Sequence, residues 1–276
     1  VAGSTLDEAV KAIRSMMDEG AMATVDILGE EVSDRSVATS YTTEYLDVFD
    51  TIASERLDAN VSIKPTMLGM KIDETFCAEN IDAIAAKAAT TDNFLRIDME
   101  DHTTTDPTLR IYRTMVGKHG GNHVGVVLQA YLRRNVDDIN SLMDLRPNIR
   151  MCKGIYREPR AVAWGAFATI RENFTYSIEK LLRAGSYVGI ATHDAHLVWA
   201  AMSLIDRLGL SRDQYEFQML YGVDPELRRI ILDGGHRLRV YVPFGKDWYP
   251  YSMRRLRENP TIAKNVLLAM LGKKTL

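Results

Sequence analysis

Three charged side chains stand inside stretches that are otherwise largely apolar: Lys64 in SIKPT, Asp98 in RIDMED and Arg150 in IRMCKGIY. Burying an unpaired charge is costly, so each must find a partner or face a ligand. Three such charges in one chain suggest a polar pocket, although any one alone is as easily a structural ion pair. A second pattern lies near the end of the chain. Tyr251, Arg254, Arg255 and Glu258 stand at i, i+3, i+4 and i+7, which puts them on one helix face. Two adjacent guanidiniums there form a fork suited to a carboxylate, and Glu258 can hold one of them in place. A solvated basic helix gives the same spacing, since Arg257 lies beside them.

Other chemistry is missing. The 18 glycines include no pair at i and i+2, which removes the GxGxxG dinucleotide fingerprint. There is no GxxxxGK[ST], HExxH or CxxC. A nucleotide cofactor would have to be held in a non-Rossmann way. The six histidines form no convincing metal-ligand spacing with carboxylates; Asp101 and His102 could be a ligand pair but read better as an exposed loop. His193 and His196 follow a strand and open a helix. Backbone N–H groups there could take a phosphate, or Asp194 could simply cap the helix.

The elements that must carry these residues alternate between two periods. Short β-type runs cover 23–28, 61–67, 94–99, 124–130, 149–153, 187–192, 216–220 and 239–242. Helical spacing fills the intervals, with 33–57 and 162–183 the longest. Ser33 and Ser211 read as N-caps, and Pro107 and Pro225 as first-turn prolines. Eight strands, each followed by a helix, indicate an α/β fold, a single (β/α)8 TIM-type barrel rather than a doubly wound sheet. No linker or composition shift divides the chain. The expectation is one domain over 1–276: an N-terminal helix over 1–20, then barrel and closing helix over 22–260, with that final helix near the active site.

In such a barrel the site lies where strands end. Those ends carry Asp26 and Glu30, Lys64, Asp98 and Glu100, Gln129 and Tyr131, Arg150, Lys153 and Tyr156, Thr192, His193 and Asp194, Gln218, and Tyr241. Composition bounds the partners. The net charge of −3 argues against nucleic acid, and two cysteines make no disulfide framework and fit a reducing compartment. No run of 18 apolar residues spans a membrane, and the first twenty residues, an amphipathic helix, lack the apolar core of a signal peptide.

With these motifs in order, the chain resembles the flavin-dependent proline dehydrogenase family in its monofunctional bacterial form. VDILGE, SIKPT, RIDMED, QAY, IRMCKGIY, ATHDAH, EFQMLYG, RVYVPFG and PYSMRRLREN match its successive motifs over about residues 22–260. The resemblance implies FAD as cofactor and oxidation of L-proline to Δ1-pyrroline-5-carboxylate, with hydride passing from C5 to flavin N5. It implies that Arg254, Arg255 and Lys64 bind the substrate carboxylate, with Glu30 and Glu258 orienting the arginines and Asp98 near Lys64. Tyr241 and Tyr251 would wall the proline ring, with Leu220 as floor. Arg150 would hydrogen-bond near flavin N5. Gln129, Lys153, Gly154, Thr192, His193 and Gln218 would contact the flavin. Arg150, Lys64, Asp98 and Tyr241 form the catalytic set.

The hydride donor must be the neutral amine, so the rate should rise with pH. Electrons would pass to a quinone, which implies a cytoplasmic enzyme with peripheral contact on the inner face of the membrane. Two departures stand out. Ile155 replaces an alanine, and Asp194 replaces an asparagine that could have donated to the cofactor. Residues 157–180 match poorly and leave the adenine contacts unassigned. Three rivals stay open: a hydroxyproline dehydrogenase, against which bulky Tyr241 argues; a Schiff-base lyase barrel using Lys64 or Lys153; and an inactive barrel that binds proline or flavin.

Overall fold

The computed structural model describes residues 1–246 and 248. Eight parallel strands close into a barrel in sequence order. They are β1 (Met22–Ile27), β2 (Ala59–Ile63), β3 (Leu95–Ile97), β4 (Val124–Gln129), β5 (Ile149–Cys152), β6 (Val188–Ala191), β7 (Tyr215–Leu220) and β8 (Leu238–Phe244). The seam closes where β8 pairs with β1, with Ala23 opposite Val240 and Ile27 opposite Phe244. The sequence-level (β/α)8 reading thus holds.

Helix α1 (Leu6–Asp18) precedes the barrel. Thr5 caps it in a reciprocal box with Glu8, and it packs on β8 and β1 along the seam through Ala9, Ala12, Ile13 and Met16. The connecting helices are α2 (Arg35–Ser54), α3 (Glu74–Thr90), α4 (Thr105–His119), α5 (Asn135–Leu142), α6 (Phe167–Arg183), α7 (Ala195–Leu208) and α8 (Pro225–Asp233).

Several boundaries differ from the sequence reading. The run expected to reach Met67 stops at Ile63, and Pro65–Leu68 form a short 3-10 turn. Pro65 has no N–H to give a ladder, and its fixed φ suits the first position of that turn. Ser33 is not the cap of α2. Asp34 is, accepting from the N–H groups of Ser36 and Val37. The long helix begins at Phe167 rather than 162. Residues 162–164 instead lie along the chain after β4, with Arg133 N–H donating to Val162 O at 2.9 Å and Trp164 N–H to Tyr131 O at 2.7 Å. Ser211 caps only a 3-10 turn, while Pro225 opens α8 as expected.

Alternation along the strands divides two environments. Val25, Ile27, Val61, Ile63, Leu95, Ile97, Val126, Ile149, Met151, Val188, Ile190, Phe217, Val240 and Val242 are all buried. They belong to the apolar layer between strands and helices. The other set faces the barrel axis, because its members bond across it. Arg150 on β5 reaches Ser62 on β2, and Tyr241 on β8 reaches Asp98 on β3. Barrel interiors usually carry bulky aliphatic layers. Here the interior is polar. Low in it, the hydroxyl of Thr24 donates to Asn60 Oδ1 at 2.6 Å, and Arg96 donates to the carbonyls of Val126 and Asn148 at 3.0 and 2.7 Å.

Glycine makes room for these long side chains. A Cβ at Gly125 would lie 2.5 Å from Arg96 Nη1 and 2.7 Å from the Asn148 carbonyl oxygen. Gly125→Ala should therefore force the Arg96 guanidinium off its carbonyls inside the barrel. The expected loss is roughly 1–3 kcal/mol, the usual range for overpacking. Urea unfolding checks it; an unchanged midpoint would show that the interior is looser than its contacts imply.

Candidate active site at the carboxyl ends of the strands

Lys64 directly follows β2 and is buried. Its ammonium donates to both oxygens of Asp26 at 2.6 and 2.8 Å, and lies 3.5 Å from the Tyr241 hydroxyl. Burial lifts the Asp26 carboxyl to about 6, with Lys64 opposing the rise and Asp98 adding to it. At neutral pH the Asp26 carboxyl is therefore ionised. The family resemblance implied Asp98 near Lys64; the structure links them through Tyr241, whose hydroxyl donates to Asp98 Oδ2 at 2.9 Å. Asp98 Oδ1 accepts from Arg150 Nη1 and from the Ser62 hydroxyl, each at 2.6 Å. Arg150 Nε donates to Gln218 Oε1 at 2.5 Å, and its guanidinium carbon sits 5.2 Å from the Tyr241 ring centre. Lys64, Asp98, Arg150, Gln218 and Tyr241 therefore form one connected cluster.

The remaining strand ends surround it. Gln129 closes β4 and donates to the Met99 carbonyl at 3.2 Å, while its buried Oε1 has no hydrogen-bond partner among the described residues. Thr192 follows β6, is buried, and accepts the Asp194 N–H at 3.1 Å. His193 accepts the Leu220 N–H on Nε2 at 2.8 Å. Burial drives its pKa down to about 4, with nearby Lys153 adding to the effect and Asp224 opposing it. The ring is thus neutral with its proton on Nδ1. Leu220, at the end of β7, is fixed by that same bond. Gly154 takes φ +103°, and a Cβ there would fall 2.1 Å from the Tyr131 ring, so only glycine fits between strand end and tyrosine. Lys153 donates to Asp194 at 3.2 Å and lies 4.5 Å from the centre of the Phe167 ring.

Asp194 shows what its replacement of asparagine entails. It caps α7 through the His196 N–H at 3.2 Å, and Arg171 of α6 grips both its oxygens at 2.8 Å. Burial would raise its pKa, but Arg171 and Lys153 bring it below the ordinary carboxylate range. Its acceptors are spent on the protein. His102, expected on an open loop, is joined to the Glu158 carboxylate by both backbone N–H and ring.

Glu30 lies in the loop after β1. That loop is tied to Thr66, which accepts the Glu31 N–H on its hydroxyl at 3.0 Å and the Val32 N–H on its carbonyl at 3.1 Å. Thr66 is in turn held by Glu100, whose carboxylate takes its N–H at 2.8 Å and its hydroxyl at 2.6 Å. Burial raises Glu100 to about 7, partly offset by the Thr66 bonds. Sequence reasoning missed Ser62 and Glu216 as site residues, and it placed Asp26 and Glu100 at strand ends without assigning them a role. Their signal was their position, polar and two residues apart on strands. Tyr251, Arg254, Arg255 and Glu258 lie outside the described residues.

A closed parallel barrel with a charged cluster at the carboxyl ends of its strands is the architecture of a barrel enzyme. The proline dehydrogenase family model matches residues 9–267. The chain belongs to the proline dehydrogenase family and is an oxidoreductase of that activity. It is 38% identical to the proline dehydrogenase of Deinococcus radiodurans over 274 residues, 98% of this chain and 88% of that protein. It is 37% identical to proline dehydrogenase 1 of Bacillus subtilis strain 168, over 99% of this chain and 90% of the relative. In fold it resembles proline utilization A of Bdellovibrio bacteriovorus, crystallised after inactivation by N-propargylglycine. That likeness has a TM-score of 0.83 at 23% identity, covering 89% of this chain and 30% of that longer one.

The state of His193 gives a pH dependence. Its folded pKa lies below the unfolded value, so the unfolded state binds the extra proton between about pH 6.5 and 4. Its contribution is intact above about 6.5 and is lost as pH falls toward 4, by up to about 3 kcal/mol at 1.36 kcal/mol per pH unit. His193→Gln keeps an acceptor for Leu220 and cannot titrate. Urea unfolding across that range should show a flatter slope for the variant; parallel slopes would mean His193 is charged in the fold.

Proposed function

We propose that this chain oxidises L-proline to Δ1-pyrroline-5-carboxylate using FAD, within a single barrel unit spanning 1–276. The observation that carries the reading is the state of Arg150. Three interactions fix its Nε and Nη1, while Nη2 has no hydrogen-bond partner among the described residues. A guanidinium nitrogen held open at a strand end calls for an acceptor on a ligand. Gln129 Oε1 complements it as a buried acceptor to which no described residue donates. A donor site and an acceptor site on the same mouth fit a planar heterocycle carrying both, such as a flavin ring.

Gln129 would accept from a ring N–H, and Arg150 would donate at the ring's redox-active edge. Gln218, Lys153, Gly154, Thr192 and the Nδ1–H of His193 would line the rest. Flavin, when bound, supplies the two-electron acceptor for the hydride at proline C5. The protein's task is position and charge. Arg254 and Arg255 would take the carboxylate, oriented by Glu30 and Glu258. Tyr241 and Tyr251 would wall the ring over Leu220, and Lys64 would keep the Tyr241 hydroxyl in place. Asp98 holds Arg150 and Tyr241 in one geometry. Because Asp26 is engaged by Lys64 and Asp98 by Arg150, neither serves as a free base, and we assign the amine proton to water. Electrons would leave to a quinone by peripheral contact with the membrane. Among the described residues no helix is long and apolar enough to cross one.

The geometry weighs against two rivals. A Schiff-base lysine must be neutral to attack, whereas Lys64 is clamped by Asp26 and Lys153 by Asp194. A hydroxyproline substrate would press on Tyr241, whose hydroxyl is tied to Asp98 and cannot swing aside freely.

The test is a visible spectrum of FAD-loaded protein without oxygen, before and after L-proline. Bleaching of the flavin bands is expected. Bands that persist would point to a different amine or to the inactive barrel, and failure to retain FAD would end the flavin reading. Arg150→Ala should slow flavin reduction more than it weakens proline binding in stopped-flow traces. The reverse order would reassign Arg150 to the substrate.

A further inference from the structure

Below the Arg150 cluster lies a second buried network that the reaction does not use directly. Glu216 sits on β7, two residues before Gln218 and on the same inward face. Its carboxylate accepts from Arg239 Nε at 2.8 Å and from the Tyr187 hydroxyl at 2.9 Å. It also accepts from Gln218 Nε2 at 2.6 Å. Burial alone would raise its pKa. The charge and hydrogen bond of Arg239, with the bonds from Gln218 and Tyr187, outweigh that and bring it down to about 2. Glu216 is therefore an ionised group that only accepts.

Gln218 stands between two groups of opposite character. A glutamine can present its oxygen or its NH2 to either side. Arg150 can only donate and Glu216 can only accept. Turned the other way, the amide would set donor against donor and acceptor against acceptor in the dry barrel. The observed orientation satisfies both, at 2.5 Å to Arg150 and 2.6 Å to Glu216. Gly189 leaves the space in which the amide lies, since a Cβ there would fall 2.5 Å from Gln218 Nε2.

We propose that Glu216 is a positioning residue for Arg150, acting through the Gln218 amide. By claiming the NH2 it turns the carbonyl oxygen toward Arg150 Nε. Asp98 and Ser62 fix Nη1, and Nη2 is left as the group offered to a ligand. The inference rests on the reading of Arg150 as the donor to bound flavin. The sequence pattern ExQ on one strand face is the whole device: an anchor, then a turned amide.

The readout is the midpoint potential of flavin in the FAD-loaded enzyme. A cation beside the flavin favours the negative charge that reduction adds. Arg150→Met should lower the potential. Gln218→Met changes no charge yet should lower it too, by about a tenfold loss of preference for reduced flavin, near 30 mV for a two-electron couple. Glu216→Gln gives the sharper sign. Removing a buried negative charge would by direct electrostatics raise the potential; losing the hold on Arg150 lowers it. In the Arg150→Met background the lowering should vanish, because the group it acts through is gone, and Glu216→Gln should keep only its direct rise.

A higher potential in Glu216→Gln, or a lowering that persists in the Arg150→Met background, would overturn the inference while leaving the role of Arg150 intact. So would unchanged potentials in both variants. An unchanged potential in Arg150→Met itself would overturn the reading of Arg150 and the inference with it. Should Glu216→Gln fail to fold with Arg239 unpaired, the neutral and similarly sized Gln218→Met in both backgrounds still decides the question.

Discussion

A guanidinium inside a barrel leaves the chain little freedom, and the Arg150–Asp98 pair sets the terms for everything around it. Moving two charges out of water costs several kcal/mol per ion, and attraction alone rarely repays it. What makes the pair tolerable is that almost every remaining lone pair and proton is used. Asp98 takes Arg150 and Ser62 on one oxygen and Tyr241 on the other. That single carboxylate thereby ties β2, β3, β5 and β8 together at the mouth. The pair is better understood as a specification of geometry than as a source of stability.

Stability has to come from elsewhere, and the alternation of the strands shows where. The apolar layer lies between sheet and helices, and α1 extends it over the seam where β8 meets β1. Because that layer is continuous, the interior is released from its usual duty of aliphatic packing. It can hold Arg96, Glu216 and Arg239, each buried, with Gly125 and Gly189 giving up side chains to make room. The two faces of each strand thus divide the labour: one drives folding, the other arranges charge.

This division decided what could be read from the sequence. Period-two alternation and the even spacing of eight runs gave the barrel; charges inside strands gave Lys64, Asp98 and Arg150 as one pocket, and Gln218 and Tyr241 followed from their places at strand ends. Pairing was not legible. Lys64 chooses Asp26, 38 residues away, because adjacent parallel strands bring the two together, and spacing along the chain carries no such information. Nor was the role of Glu216 visible, since it follows from which end of an amide faces an arginine. The boundaries at 63 and 167 were missed for local reasons. Pro65 ends the ladder after β2, and residues 162–164 pair with the chain after β4 instead of joining α6. The departures at Asp194 became intelligible only with Arg171, which lies in the stretch whose motifs matched poorly.

The charge balance of the described mouth bears on where a carboxylate substrate would dock. Lys64 is matched by Asp26, Arg150 by Asp98, and Arg239 by Glu216, while Lys153 and Arg171 share Asp194. Each of these cations already has an anion within hydrogen-bond reach. A carboxylate entering beside Lys64 would meet Asp26 and Asp98 as well, and little net attraction would remain. Arg150 keeps one nitrogen without a hydrogen-bond partner among the described residues, but a guanidinium held by Asp98 is a hydrogen-bond donor more than a source of field. The charge that would draw in a carboxylate substrate would then come from outside this cluster. That argument favours Arg254 and Arg255 over Lys64 as the carboxylate's partners, and it assigns Lys64 a different task. Its ammonium keeps Asp26 ionised at the barrel axis and reaches the Tyr241 hydroxyl, so it shapes the wall against which the ring would lie.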